Sequence, residues 1–361
     1  MTGVFITGGA GFIGRRLAAK LRKDGREVSV YDNLHPQVQS DPAASVRELR
    51  ELGCTVVEAD IRDAARLEEE LQRSGCSTVV HLAAETGTGQ SYDIPAHYCE
   101  VNVTGTAHLV EAVRRLRKGG QRIDRVLLAG SRAVYGEGAA RTSDGQEITA
   151  VPRLSRDMEA GDFAPKDAAG ENVEPVASSA AKTEPAPASV YASSKLMQEY
   201  VLQQGLEQTG IGCGILRLQN VYGPGQALHN PYTGVLSIFS QQLLDGKTLN
   251  IFEDGDIVRD FVHVDDVAEA FFKLCTIDSV PTEVIDIGSG EGSSIVDVAR
   301  ILIGALGLPE DRYRISGDFR PGDIRHARAD TGAASDLLEW SASTSLDEGL
   351  AGLVEWARAE Q

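Results

Sequence analysis

The sequence predicts an α/β protein: a doubly wound parallel sheet with a smaller α/β lobe toward the C-terminus. Three observations carry that prediction. Short apolar runs of strand type alternate with helical segments throughout the first half. The first of these runs leads directly into a glycine-rich turn and a helix. The length, 361 residues, suits one large domain with an appended lobe, or two domains.

The elements follow in order. Val4-Phe5-Ile6-Thr7 reads as a strand, and Gly8-Gly9-Ala10-Gly11-Phe12-Ile13-Gly14 as the turn after it. Arg15 to Lys23 reads as a helix that stops near Gly25. Glu27 to Tyr31 is a second strand ending in Asp32-Asn33. A βαβ unit with glycines at its first turn and an acid about 20 residues on is a dinucleotide fingerprint. The glycines let backbone approach a pyrophosphate at the positive end of the helix. Asp32 can accept from ribose hydroxyls and would repel a 2′-phosphate, which favours NAD over NADP. The spacing reads equally as Gly9/Gly11/Gly14 or Gly8/Gly11/Gly14.

Cys54 to Asp60 and Thr78 to Ala84 read as the next strands, the first ending in an acid and the second in small residues. His81, at the end of a buried strand, reads as a structural histidine rather than a catalytic one. Arg125 to Ser131 is a further strand, and it runs into Arg132-Ala133-Val134-Tyr135-Gly136. Taken alone, a serine at a strand end is commonly a turn former.

Between Gly136 and Ser189 the chain becomes rich in Ala, Gly, Ser, Pro and acids, with one short helix expected over Arg153 to Ala160. Such a stretch reads either as a solvated insertion or as a lid. Beyond it, Tyr191 and Lys195 stand four residues apart, on one face of a helix expected from Val190 to about Gln208. A phenol has a pKa of about 10, and an ammonium beside it favours the phenolate. That pair can move a proton to or from an alcohol. By itself the spacing is common, and the plain alternative is a partly buried tyrosine beside a solvated lysine.

Composition narrows the partners. Hydrophobic residues make up 42%, enough for a sizeable core, and the formal net charge is −18. That charge excludes nucleic acid and anionic membrane as expected partners. An anionic small molecule remains admissible where arginines gather in one cleft. The five cysteines (Cys54, Cys76, Cys99, Cys213, Cys275) are scattered and form no C-x-x-C, so neither zinc nor a disulfide framework is expected. The start of the chain enters a strand at once, and no apolar run is long enough to span a membrane, so a cytoplasmic protein is expected.

Taken together, these motifs resemble the extended short-chain dehydrogenase/reductase family, in its nucleotide-sugar epimerase branch. Thr7 with Gly8, Gly11 and Gly14 matches its turn, and Asp60-Ile61 resembles its adenine contact. Leu82-Ala83-Ala84 resembles the residues bordering the diphosphate and ribose, and Asn102 matches an asparagine in the following helix. Ser131 stands four residues before Tyr135 of Val-Tyr-Gly, as the family's serine or threonine does. Arg217 to Pro224 resembles R-x-x-N-V-Y-G-P, on a strand read from Gly214 that ends at Asn220; Arg259 to Asp266 resembles R-D-F-x-H-V-x-D, and Arg320 to Asp323 resembles R-x-G-D. The run Leu249-Asn250-Ile251-Phe252 resembles the strand against the nucleotide base.

The resemblance implies a Rossmann-type fold, bound NAD and a nucleotide-diphosphate sugar. Ser131, Tyr191 and Lys195 would be catalytic; Phe12, Ile13, Asp32 and Asn33 would contact the cofactor. Asn220, Arg259 and Arg320 would face the diphosphate, Asn250 and Phe252 the base, and Arg132 would also touch substrate. Asp265 and Asp266 are expected to cap a helix from Val267 to Leu274. The implied division is residues 1–221 and 257–288 for the cofactor, with an insert at 137–189, and residues 222–256 and 289–361 for the sugar nucleotide. The helix around His108 to Leu116, with that of Tyr191, resembles the pair through which such proteins form homodimers.

Sugar-nucleotide dehydratases carry an Asp-Glu pair after the Ser/Thr, and related decarboxylases keep the Glu; this chain has Arg132 and Ala133, which argues against both reactions. Within the family the nearest likeness is to the dTDP-L-rhamnose 4-epimerase group, through Ser131 to Gly138 and Gly223 to Ser240. Many of that group carry cysteine pairs in the insert, and this insert has none. The implied reaction is epimerisation of a dTDP- or UDP-hexose at C4 through a transient 4-keto sugar. A 4-ketoreductase or dehydrogenase with net redox turnover is the alternative. A catalytically dead NAD-sensing protein is a third reading, against which intact Ser131, Tyr191 and Lys195 argue.

Overall fold

The structure is a computed structural model that describes residues 3–38, 41–228 and 234–360. Met1, Thr2 and residues 229–233 of the Gly223 to Ser240 signature lie outside the described residues.

A parallel sheet of seven strands forms the centre. Its spatial order is Val284–Ile287, Gly212–Leu218, Arg125–Ser131, Thr78–His81, Val4–Thr7, Val28–Asp32, Thr55–Glu58. The chain builds outward one way from Val4–Thr7 and then reverses, so the strand order switches beside Thr78–His81. In open α/β sheets that switch point is where ligands bind.

Inner strands such as Val4–Thr7 and Thr78–His81 are buried along their whole length, because helices cover both faces. Alternate side chains feed two cores. Val4, Ile6, Leu127 and Leu216 pack with Leu17 and Leu21 of the helix Phe12–Lys23 and Val267 and Phe271 of Val264–Thr276. Phe5, Val79, Val126 and Leu128 pack on the opposite face with Leu67, Leu109, Val113 and Leu202. The edge strand Thr55–Glu58 is half exposed, as an edge allows. A third core holds the C-terminal elements: Leu236, Phe239, Ile251, Phe261, Val298, Leu302, Leu350 and Leu353.

Two expectations need correction. The run Gly214 to Asn220 is not one strand: Gly212–Leu218 stays in the large sheet, and Asn220–Tyr222 pairs in parallel with Phe261–His263. The break falls at Gln219, whose N–H donates to the carbonyl of Ile287 at 2.9 Å. Asp265 and Asp266 do not cap their helix; His263 does, accepting from the Asp265 N–H, and the two acids fill the first turn. Asp266 instead accepts from Ser343 and Thr344, tying down the segment before the last helix.

The stretch from Gly136 to Ser189 is folded rather than structureless. Ala139–Arg141 pairs antiparallel with both Glu147–Thr149 and Glu174–Pro175. Ala140, Ala150 and Val173 form a small core of their own, and the expected short helix covers Ser155–Glu159. Arg153 ties this layer to the lobe. Its buried guanidinium bonds Glu137 at 3.0 Å and Glu253 at 2.9 Å, and it also donates to the carbonyl of Asp323 at 2.8 Å.

Candidate active site

A cavity of about 570 Å³ opens over the carboxyl ends of the strands. At one end stands the turn after Val4–Thr7. Gly8 has φ +69°, and a Cβ there would lie 2.6 Å from the Ala83 backbone nitrogen. A Cβ on Gly14 would lie 2.5 Å from the Gly9 Cα. No side chain caps the helix at Gly11, so the first-turn N–H groups face the cavity mouth. Gly8, Gly11, Phe12, Ile13 and Gly14 all line this end.

Asp32, at the tip of the next strand, accepts from the N–H of Ala10 at 2.9 Å and of Leu34 at 2.8 Å, and it lines the cavity with Asn33. Ile61, Leu82, Ala83 and Ala84 form the adjoining wall. Asp60 does not join them. Its carboxylate is gripped by Arg62 at 2.8 and 2.9 Å, and that hydrogen bonding holds its pKa down at about 2. Asn102 also sits behind the wall, in a π-helical turn over Cys99–Thr104. Its side chain accepts from the Glu85 N–H at 2.7 Å and donates to Ser194 at 2.9 Å, clamping the loop after Thr78–His81 to the helix of Tyr191.

Ser131, Tyr191 and Lys195 converge at the inner end. The helix Val190–Leu206 starts where Ser189 accepts from the Ala192 N–H at 3.1 Å, and this sets Tyr191 in its first turn. Tyr98 supports the phenol edge-on, with ring centroids 6.4 Å apart. Burial raises the Tyr191 pKa, and the hydrogen bond with the Ser131 hydroxyl opposes that rise. Lys195 is on the same helix face, yet its ammonium donates to the Ala129 carbonyl at 2.7 Å and to Gln198 at 2.6 Å. Burial draws the Lys195 pKa down to about 8, with Glu199 acting the other way. The expected lowering of the Tyr191 pKa by Lys195 is not seen in this geometry: the ammonium is turned to Ala129 and Gln198, and burial raises the phenol against the Ser131 hydrogen bond alone. His81 is structural, as expected: buried, bonded to Thr7 at 2.7 Å and Thr106 at 2.9 Å, and held neutral by burial with a pKa down at about 3.

The far wall carries the predicted substrate residues unevenly. Arg132, Asn220 and Arg259 line the cavity. Arg259 is paired with Asp323 at 2.7 Å, an ion pair within the same wall. Asn250, Phe252 and Arg320 stand outside that lining. Arg320 lies over the Phe252 ring at 4.8 Å, and Asn250 bonds Asp318 and Arg314 at 3.1 and 2.9 Å. The cavity and this stacked pair are bridged by the turn Arg320–Asp323, where the Asp323 N–H donates to the Arg320 carbonyl at 3.1 Å. Burial takes His326 down to about 4, reinforced by Arg328, Arg132, Arg259 and Arg325, so several guanidinium groups gather around this imidazole.

Residues 4–156 and 165–288 match the model of the NAD dependent epimerase/dehydratase family. The chain belongs to that family. Its cofactor is accordingly NAD, and the local chemistry fits: glycines where a Cβ would block the approach, an uncapped helix start, and an acid at the second strand tip. The chain is 40% identical to the dTDP-L-rhamnose 4-epimerase of Burkholderia thailandensis, over 99% of this chain and 95% of that one. It is 31% identical to the UDP-glucose 4-epimerase of Mycolicibacterium smegmatis, covering 98% and 97%. Among solved structures it superposes on the UDP-glucose 4-epimerase of Thermotoga maritima, crystallised with UDP-glucose, with a TM-score of 0.79 at 27% identity, covering 99% of both chains. MoeE5 in complex with UDP-glucuronic acid and NAD matches with a TM-score of 0.77 at 27% identity, over 99% of this chain and 100% of that one.

Within this family frame, sequence reasoning missed Gln198, Gln219 and Tyr98. Only Tyr98 had a local signal, an aromatic residue at helical spacing before Asn102. The two glutamines matter through contacts distant in sequence.

Proposed function

We propose that this protein is a 4-epimerase of a nucleotide-activated hexose that keeps its NAD through each turnover, and that dTDP-L-rhamnose is the substrate to try first. The observation that carries the reading is the convergence of Ser131, Tyr191 and Lys195 on one cavity with no carboxylate in the two positions after Ser131. The 40% identity to a dTDP-L-rhamnose 4-epimerase supports the choice of sugar.

An alcohol carbon has no acidic hydrogen, so its inversion needs transient oxidation. NAD supplies that chemistry by accepting a hydride from C4 and returning it to the opposite face. Tyr191 takes the C4 hydroxyl proton as the hydride leaves, and gives a proton back to the oxygen when the hydride returns. Ser131 holds the C4 oxygen, and Lys195 supplies the positive charge beneath the pair. Between the two transfers the keto sugar turns over, which requires the diphosphate to stay gripped while the contacts to the ring are released and remade. Asn220 and Arg259 in the cavity wall, and Arg320 over Phe252 beyond it, suit that division of labour.

On the same reading, residues 1–221 and 257–288 carry the cofactor and residues 222–256 and 289–361 the sugar nucleotide, with the folded insert at 137–189 tied to the latter through Arg153. A homodimer is supported by the paired helices Gly105–Lys118 and Val190–Leu206, the second of which exposes Met197 and Tyr200. Among the described residues no helix is long and apolar enough to cross a membrane, and the five free thiols suit a reducing cytoplasm.

The test is NMR and mass spectrometry of products from dTDP- and UDP-hexoses incubated with purified enzyme and no added cofactor. A C4 epimer at equilibrium supports the reading. A product of changed oxidation level, or turnover only when cofactor is added, makes it a ketoreductase or dehydrogenase instead.

A further inference from the structure

The break in the strand after Leu218 leaves a side chain in an unusual position. Gln219 is 5% exposed and lines the cavity, and neither its amide oxygen nor its amide nitrogen has a hydrogen-bond partner among the described residues. Buried amides without partners are costly, and a position that needed only bulk would be filled as well by Met or Leu.

Its surroundings close off the internal alternatives. Gly288 stands against its stem: a Cβ there would lie 2.8 Å from the Gln219 Cγ. The Asp260 carboxylate crowds the same Gly288 position, and both its oxygens are taken by the N–H groups of Ser289, Gly290 and Ala329 and the Ser289 hydroxyl. Those four donors fill the acceptor capacity of a carboxylate.

The neighbour across the sheet is in the same condition. Ser131 is paired with Leu218 in the parallel ladder, so Arg132 and Gln219 are the next residues at two adjacent strand tips. Arg132 is buried, lines the cavity, and donates to the Gly136 carbonyl at 3.0 Å through Nη2, while its Nε has no partner among the described residues. The glycine turn follows Val4–Thr7, three strands away from Gly212–Leu218. At about 4.8 Å per strand, Gln219 is roughly 14 Å from that turn, on the far side of Ser131. A dinucleotide anchored at the turn with its reactive end at Tyr191 leaves the Gln219 side to the sugar.

We propose that Gln219, together with Arg132, is a specificity site that hydrogen-bonds the hexose hydroxyls on C3, beside the reacting carbon, and on C2 beyond it. This rests on the epimerase reading for the identity of the ligand. Gln219 offers an acceptor beside two donors, and Arg132 adds its unpartnered Nε–H; the acceptor makes the set match neighbouring hydroxyls on C2 and C3, since an anion would be repelled by the amide oxygen. The pair fixes which hexose is accepted, whereas the diphosphate contacts recognise any nucleotide sugar.

The experiment compares binding of dTDP-L-rhamnose and of dTDP alone to the NAD-loaded enzyme by calorimetry, in wild type and in Gln219→Met. The expected result is a loss of about tenfold or more for the sugar nucleotide, with dTDP and the retained NAD unchanged. Unchanged affinity for both ligands, or an equal loss for both, overturns the proposal; so does a loss of NAD, which would assign the amide to the cofactor. Should the variant not fold, wild type is tested with dTDP-hexoses lacking the C2 or the C3 hydroxyl, and at least one must bind about tenfold more weakly. If neither does, the proposal fails. Turnover by wild type is followed separately by NMR: absence of an epimer rejects the epimerase reading, while the binding comparison still judges Gln219. A wild type that binds neither dTDP-L-rhamnose nor UDP-glucose rejects both.

Discussion

The ammonium of Lys195 donates to Oε1 of Gln198 at 2.6 Å, one turn further along the same helix. Which end of that amide faces the lysine is itself determined. Its Nε2 donates to Thr106 at 2.8 Å, and Thr106 in turn donates to the Asn102 carbonyl at 2.5 Å. Gln198 is thus a fixed acceptor beneath a buried cation.

Removing that acceptor with Gln198→Met should shift the pH dependence of catalysis. A hydrogen bond to a charged group is worth about 1.5–3 kcal/mol, which corresponds to about one pKa unit or more. Lys195, already drawn down to about 8 by burial, should lose its proton at still lower pH. Glu199 and the buried His81 are the titratable groups that face Lys195, and the Ser131 hydroxyl faces Tyr191. Because the reaction needs Lys195 charged, the alkaline limb of kcat/KM against pH should therefore move to lower pH by about one unit. A limb that stays in place while the rate falls would mean that Gln198 only packs.

A second buried pair holds the catalytic helix to the sheet. Arg217 grips Glu199 through contacts of 2.7 and 3.0 Å, both side chains are buried, and the guanidinium lies 4.8 Å over the Tyr135 ring. Arg217→Met leaves Glu199 buried without its partner and should cost about 3–5 kcal/mol. Urea denaturation reads this; a loss below about 1 kcal/mol would show that water reaches Glu199.

Asp286 is buried beneath the insert, accepting from the Tyr135 hydroxyl at 2.9 Å and the Ala180 N–H at 2.8 Å. Burial pushes its pKa up to about 7. A carboxyl raised on folding contributes stability that is fully present below the unfolded pKa of about 3.9 and lost as pH rises toward 7. Asp286→Asn keeps an acceptor without the charge. Between pH 4 and pH 7, wild type should lose stability relative to the variant; parallel stability curves would contradict the raised pKa.

The insert is legible only in part, and Arg153 shows why. Its partners Glu253 and Asp323 are remote in sequence, and a stretch rich in Ala, Gly and Pro announces neither its three-stranded sheet nor its anchor. Arg153→Met should expose residues 142–189 to limited proteolysis, while distant cores keep their melting behaviour. Resistance equal to wild type would show that the sheet holds without this residue.

What could be read in the sequence was local. The turn Gly8 to Gly14, the acid at Asp32, the Tyr191–Lys195 spacing and Ser131 before Val134-Tyr135-Gly136 depend on neighbours in the chain, and each lines the cavity or is continuous with residues that do. Asp60 and Asn102 were placed by motif at the cofactor, yet Arg62 and the Glu85 backbone hold them outside the cavity lining. Asp265 and Asp266 looked like caps because acids favour helix starts, but the helix begins earlier, at Val264, and His263 stands at its cap. Gln219 gave no signal, because its isolation arises from a strand break and from what fills Asp260.

The central claim is that C4 is oxidised and reduced within one closed site. dTDP-L-rhamnose carrying deuterium at C4, turned over in ordinary water without added cofactor, tests it most directly. The account predicts the C4 epimer with its deuterium retained at C4, because the hydride is held by the bound NAD and never meets solvent. Epimer formed with deuterium lost to water would contradict it.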